Sequence, residues 1–179
     1  MIEQAGDLGL SRGLVRLAEP NVRWATLFAD EAARLEAALQ KYSAAIEHCG
    51  STSVPGLPAK PILDILAGIG APIDVATIAE ALAPLGYEHA PWAGVPGHEV
   101  FGKGEPRTHL LHVVPLHGNA WKRMLAFRDA LRKDAALAAD YALLKQELAV
   151  RYPQSRPAYT EGKSAFVETV LARDLRQGT

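Results

Sequence analysis

The twelve residues from Gly50 to Pro61 hold two glycines and three prolines. Proline fixes φ and removes a backbone donor, while glycine opens backbone conformations closed to other residues. The stretch therefore cannot be regular structure, and the apolar runs on either side of it read as strands. Ala44-Ala45-Ile46-Glu47-His48-Cys49 is the first. The second, Ile62 to Ile69, is short and apolar with a single charge at Asp64, the pattern of a buried strand. A fold for this chain has to seat that carboxylate in a sheet and join the two strands through an irregular loop.

An ionised carboxylate away from water is unfavourable unless it is paired or metal-bound, so Asp64 needs a partner. Gly50 follows a strand, where glycine lets the backbone turn tightly and approach a ligand closely. Backbone N–H groups in such a turn form an anion-binding concavity. Ser51, Thr52 and Ser53 add three hydroxyls, and Lys60 adds positive charge. Two readings of Asp64 stand level. It ligates a magnesium ion that also holds substrate phosphates, or it accepts backbone N–H bonds from the proline-rich loop and holds that loop in place.

Residues 1–13 are polar and glycine-containing and read as a loose leader, followed by a single domain over 14–179. Leu14 to Leu17 alternates like a short strand. Trp24, Leu27, Phe28, Leu35 and Leu39 recur at helical spacing and predict a helix over 21–41. Pro72 to Leu85 reads as a helix with Asp74 as N-cap and Gly86 as its stop. Tyr87 to His89, Glu99 to Phe101 and Thr108 to Val114 read as a meander of strands. Helices follow over roughly 119–132, 135–151 and 158–176. Strands followed by a block of helices favour an α+β fold over a repeated βαβ one.

The chain has 179 residues, 49% hydrophobic and 22% charged, with a net charge of −1. That composition is globular, and it supplies no overall basic field to attract nucleic acid. The lone Cys49 excludes an internal disulfide and a cysteine-based zinc site. No window is apolar for long enough to cross a membrane, and the N-terminus lacks a secretory pattern. The expectation is a cytoplasmic, soluble protein.

Strand alternation puts Leu110, His112 and Val114 on one face and sends His109 to the other. His48 reads as a hydrogen-bonded histidine at a strand end, and His89, His98 and His117 as loop residues. Arg107, Arg128, Arg132, Lys145 and Lys163 are the cations nearest the later elements. On most helices such residues form a solvated face. Lys145 follows Tyr141, and Lys163 follows Tyr159, by four residues, so each pair shares a helix face. Trp24 and Phe28 read as core, and Trp92 as a loop aromatic packed on its own domain or covering a pocket.

The run IEHCGSTSVPGLPAKPILDI resembles the signature of the GrpB-like (UPF0157-type) family, whose form is close to IEHIGSTSVPGLxAKPIIDI. The likeness extends over about residues 14 to 170, through Trp24, Phe28 and Glu31, Arg107 to His109 with His112 and Val113, Phe127 to Asp129 with Leu131 and Arg132, Tyr141 with Lys145, and Tyr159 with Lys163 and Phe166. The family is similar to the nucleotidyltransferase superfamily. The resemblance implies a mixed β-sheet with helices packed on one side and a C-terminal helical block. It also implies transfer of a nucleotidyl group from a nucleoside triphosphate to an unidentified small acceptor. Mg2+ or Mn2+ would be the metal, held by Asp64 and His112 as the catalytic pair. Gly50, Ser51, Thr52, Ser53, Lys60, Arg107, Lys145, Tyr159 and Lys163 would bind the nucleotide. For Arg128 and Arg132, salt bridges to neighbouring carboxylates are the expectation.

The sequence departs from the superfamily pattern at one place that matters. A second acid two residues after the first is expected on the strand, and Leu66 stands there. A later strand offers His112 in place of a third carboxylate, and imidazole suits zinc or manganese better than magnesium. A non-catalytic nucleotide- or phosphometabolite-binding accessory domain is therefore the alternative. Members of the family also occur joined to a dephospho-coenzyme A kinase domain, which the resemblance reads as an accessory association.

Overall fold

A computed structural model of the chain describes residues 8–70, 72–91 and 97–177. Helix α1 (Arg23–Ala38) turns Trp24, Ala32 and Leu35 inward, and the Asn21 side chain accepts a hydrogen bond from the Arg23 N–H at its start. It is shorter than the periodicity predicts, because the chain tightens into a 3-10 turn at Gln40–Tyr42 and then turns at Ser43 with φ of 51°. Strands β1 (Ala45–Cys49) and β2 (Leu63–Ile69) flank the proline-rich segment as expected. That segment does contain one regular turn, a 3-10 turn at Ser51–Ser53, which fits because the first proline comes only at Pro55.

Helix α2 (Val75–Leu82) starts at Asp74, whose carboxylate accepts from the Ala76 N–H. Gly86, at φ 82°, ends the 3-10 turn that follows. Strands β3 (Tyr87–His89), β4 (Glu99–Lys103) and β5 (His109–Pro115) complete a five-stranded sheet in the order β1-β2-β5-β4-β3. The β2–β5 pair is parallel and the other three are antiparallel, so the sheet is mixed and the fold α+β.

Four helices follow: α3 (Asn119–Lys133), α4 (Ala135–Arg151), α5 (Arg156–Glu161) and α6 (Ser164–Gln177). The single helix predicted over 158–176 is thus two helices broken at Gly162. A Cβ there would lie 2.5 Å from Leu148 Cδ2, so glycine lets this corner close onto α4. The strand expected at Leu14–Leu17 is absent. The segment pairs with irregular chain instead, Val15 N–H donating to Pro153 and Ala18 bridging Ala59, so no ladder forms. The leader is tied down from Gly9, whose N–H donates to Pro61, and Leu10 is buried against Val100 and Ile62. Residues 1–7 and Trp92 lie outside the described residues.

The period-2 pattern divides the sheet residues cleanly. Leu63, Ile65, Ala67, Leu111 and Val113 form one core with Trp24, Leu35, Ile78 and Leu82 from α1 and α2. On the opposite face Cys49, Leu66 and Val114 meet Trp121 of α3, which opens the C-terminal helical block. Asp64 belongs to this second face.

Candidate functional site

Register builds the site. Asp64 pairs with Cys49 on β1 and Leu110 on β5, and Leu66 pairs with His112. Asp64 and His112 therefore share a face, and His112 Nε2 lies 3.7 Å from Asp64 Oδ1. The other ring nitrogen, His112 Nδ1, is 3.4 Å from His98 Nδ1. His109 points the other way, toward Tyr87 across the α1-facing core, as the alternation predicts. The Asp64 side chain keeps 29% of its accessible surface, so a ligand can reach it.

Gly50 crosses directly over that carboxylate. Its φ is +64°, and a Cβ there would stand 2.5 Å from Asp64 Oδ2. The hydroxyls that follow have separate duties. Thr52 Oγ1 is 3.0 Å from His48 Nε2, and the His48 ring stacks on Phe28 at 4.5 Å between centroids. His48 is thus the hydrogen-bonded strand-end histidine that the sequence suggested. Ser53 Oγ donates to the Gly50 carbonyl at 2.6 Å. Ser51 interacts with the Tyr141 hydroxyl of α4.

Three lysines converge on Asp64. Lys60, from the loop, and Lys163, between α5 and α6, place their ammonium groups over the same Tyr159 ring, at 5.6 and 4.5 Å from its centroid. Lys145 of α4 lies 5.0 Å over Tyr141 and donates to the Pro58 carbonyl. It is 1% exposed. Burial pushes Lys145 down to about 7, helped by repulsion from Lys163 and Lys60 and opposed by Asp64. Burial, together with Lys60, likewise pushes Lys163 down to about 8. For Asp64, burial works to raise the pKa, but His112, Lys60 and Lys163 outweigh it and hold the carboxyl below its ordinary value. With its lysines protonated, the cluster sets three positive charges against the one Asp64 carboxylate.

Two arginines of α3 brace β1 and the loop beside this cluster. Arg128 of α3 donates to the Glu47 carboxylate at 2.7 Å and the His48 carbonyl at 3.0 Å. Arg132 donates twice to the Ser53 carbonyl, at 3.0 and 2.8 Å. The Arg128 pairing is the one the sequence favoured. Arg132 also keeps its ion pair, a long one to Asp129 at 4.0 Å, but its closest acceptor is the loop backbone, because one turn further along α3 the guanidinium passes Ser53. Arg107 is drawn away from the lysines. Its guanidinium covers Gly102, two strands from Asp64, and pairs with Glu88 at 2.9 Å. Sequence reasoning overlooked Tyr141 as a site residue, although its four-residue offset from Lys145 was the available signal. It also read His98 as a plain loop residue, and no local pattern marks its approach to His112.

The metals that the resemblance implies can be tested against this donor set. Leu66 is fully buried where a second acid is needed, and Glu47, on the same face, is paired with Arg128. Among the described residues no group of three or more His, Cys, Asp or Glu could hold a metal ion. Around Asp64 stand the His112 imidazole, at 3.7 Å, and the lysine ammonium groups, which repel a cation. A pair of divalent ions does not fit.

The chain shares its fold with Cid1: it superposes on Cid1 in complex with its short product ApU with a TM-score of 0.52, at 14% identity, over 80% of this chain and 48% of that one. The GrpB protein family model matches residues 14–173, and the chain belongs to the GrpB family. It is 36% identical to the glutamate-rich protein GrpB of Alkalihalophilus pseudofirmus over 92% of this chain and 98% of that protein. It is 43% identical to a UPF0157 protein of Pseudomonas aeruginosa over 85% of this chain and 64% of that one. The crystal structure of the conserved protein GrpB from Enterococcus faecalis aligns with a TM-score of 0.79 and 34% identity over 90% of this chain and 98% of that one. No helix among the described residues is long and apolar enough to cross a membrane.

Proposed function

We propose that the protein binds the phosphate chain of a nucleoside triphosphate, or of a similar phosphorylated metabolite, under the Gly50 turn. The observation that carries this reading is the convergence of Lys60, Lys145 and Lys163 on the Asp64 carboxylate. Ammonium groups held close together in a partly water-excluded site repel one another, and a multiply charged phosphate relieves that repulsion. Tyr159 and Tyr141 supply the faces that carry the lysines, and Ser51, beside Tyr141, would offer its hydroxyl to a phosphate oxygen. Isothermal titration with ATP, GTP, CTP and UTP tests the reading. Binding to at least one of them, weakened about tenfold or more by Lys163→Met, is the expected result. Absence of heat with all four would remove it.

A second reading, nucleotidyl transfer, has its own support. Asp64 is held ionised next to His112, and the chain shares its fold with the Cid1 poly(U) polymerase. In such a step the acceptor hydroxyl oxygen would bond to the α-phosphorus, the bond to the pyrophosphate oxygen would break, and the hydroxyl proton would pass to the Asp64–His112 pair. The acceptor would be a small molecule, since the net charge of −1 offers nucleic acid no long-range attraction. Pyrophosphate release with a panel of hydroxyl acceptors separates the two readings. Saturable binding without pyrophosphate identifies a binding domain.

A further inference from the structure

We infer that the phosphate chain is held here without a divalent metal, with Lys60, Lys145 and Lys163 taking the place of the ions. The inference rests on the phosphate-binding reading above and specifies how that binding is achieved. Charge balance is the first support. Two divalent ions among three carboxylates present a phosphate chain with one net positive charge. Three ammonium groups against the single Asp64 carboxylate, when fully protonated, present two. The electrostatic demand of a polyphosphate is therefore met by the chain itself.

Geometry is the second support. The position that would carry a second metal-binding acid is Leu66, fully buried against Trp121 and Val114, so no rotamer change converts this strand into a two-carboxylate site. Glu47 shares the face but is taken by Arg128 at 2.7 Å. The lysines are not loose surface groups that could swing aside for a cation. Lys145 is anchored on the Pro58 carbonyl over Tyr141, and Lys60 and Lys163 lie on one Tyr159 ring. Asp64 then has a different task from ligating metal: it offsets part of the mutual repulsion of the lysines while the site is empty. That assignment inverts the expected effect of removing it. If Asp64 held a metal, its loss would abolish binding. As a counter-charge, its loss leaves more net positive charge facing the phosphate and tightens binding wherever the pH is low enough to keep the lysines protonated without it, since Asp64 also holds their pKa values up.

The test uses the full chain, stripped of metal with EDTA, titrated with ATP and with inorganic triphosphate, first in EDTA and then in excess magnesium or manganese. The expected result is binding in EDTA with a Kd within about threefold of the value in either metal. Asp64→Asn, checked for folding by circular dichroism, is expected to bind triphosphate in EDTA about threefold or more tighter than the parent chain at about pH 5.5, where the lysines are protonated in both proteins. Binding that needs magnesium or manganese, or that Asp64→Asn abolishes in a folded protein, overturns the inference while leaving the phosphate site standing. Failure to bind under every condition overturns both. Should Asp64→Asn not fold, the comparison of EDTA with metal on the unaltered chain still decides between the outcomes.

Discussion

At Gly50 two constraints coincide. Its φ of 64° and ψ of −171° lie in a region essentially reserved for glycine, and a Cβ would come within 2.5 Å of Asp64 Oδ2. Gly50→Ala is therefore expected to lower unfolding stability by about 1–3 kcal/mol, measured by urea denaturation, and to displace the carboxylate from the lysines. A loss below about 0.5 kcal/mol would contradict the geometry. Lys145 and Lys163 carry a second expectation. Burial pushes them down to about 7 and about 8, and a bound phosphate would raise both. Between those values and the normal lysine range, ligand binding should take up protons. Titration at pH 8.5 or so in two buffers of different ionisation enthalpy should show uptake, and near pH 6, where both lysines are already charged, uptake should vanish. Equal heats in both buffers at the higher pH would contradict the assignment. The approach of Gly50 to Asp64 was legible in the sequence because it follows from one strand-loop-strand stretch. Tyr141 and His98 were not, since they reach the site from α4 and from ahead of β4, and only tertiary contact brings them in.

Helix α3 presents arginines to two different settings, and the contrast is a test of what holds the loop. Arg128, with a side chain only 10% exposed, ties β1 to the helix through Glu47 and the His48 carbonyl. Arg123 reaches Glu168 of α6 with side chains 40% and 63% exposed. A solvent-exposed ion pair contributes little, whereas breaking a largely buried one leaves polar groups unpaired. Arg128→Met is expected to destabilise by about 1–3 kcal/mol and Arg123→Met by under about 1 kcal/mol, both read from urea midpoints at constant m. Equal effects would mean that α3 is held by its apolar contacts alone. Elements with strong periodicity were legible: α1, α3 and α4 run close to where the apolar spacing puts them. Leu14 to Leu17 and the 158–176 stretch were not. Alternation alone cannot say whether a sheet edge is available, and the break at Gly162 depends on the approach of Leu148.

Across the molecule, two sets of buried bases set the pH range in which the fold is firm. Burial pushes His48, His98 and His109 each down to about 4, so these rings stay neutral in the native protein while the unfolded chain takes up protons nearer 6.5. Their contribution is fully present above about pH 6.5 and is lost as pH falls toward 4. The lysines act at the other end. Lys145 and Lys163 resist protonation in the fold, while the unfolded chain keeps them charged up to about pH 10. Between roughly pH 7 and 10 the unfolded state again binds more protons, so these groups make stability rise with pH. Both sets displace the optimum of the empty protein to the alkaline side of neutrality, whereas most domains peak between about pH 5 and 8. A phosphate ligand restores the lysines toward their ordinary values and removes the alkaline part of the slope, leaving the histidine part untouched. Urea unfolding from pH 5 to pH 9 should therefore show stability increasing to above pH 8 without ligand. With saturating triphosphate it should be nearly flat from pH 7 upward, but still falling below pH 6.5. An alkaline slope that triphosphate leaves unchanged would show that the buried lysines are structural and face no anion, since only a ligand on the lysines themselves can reset them.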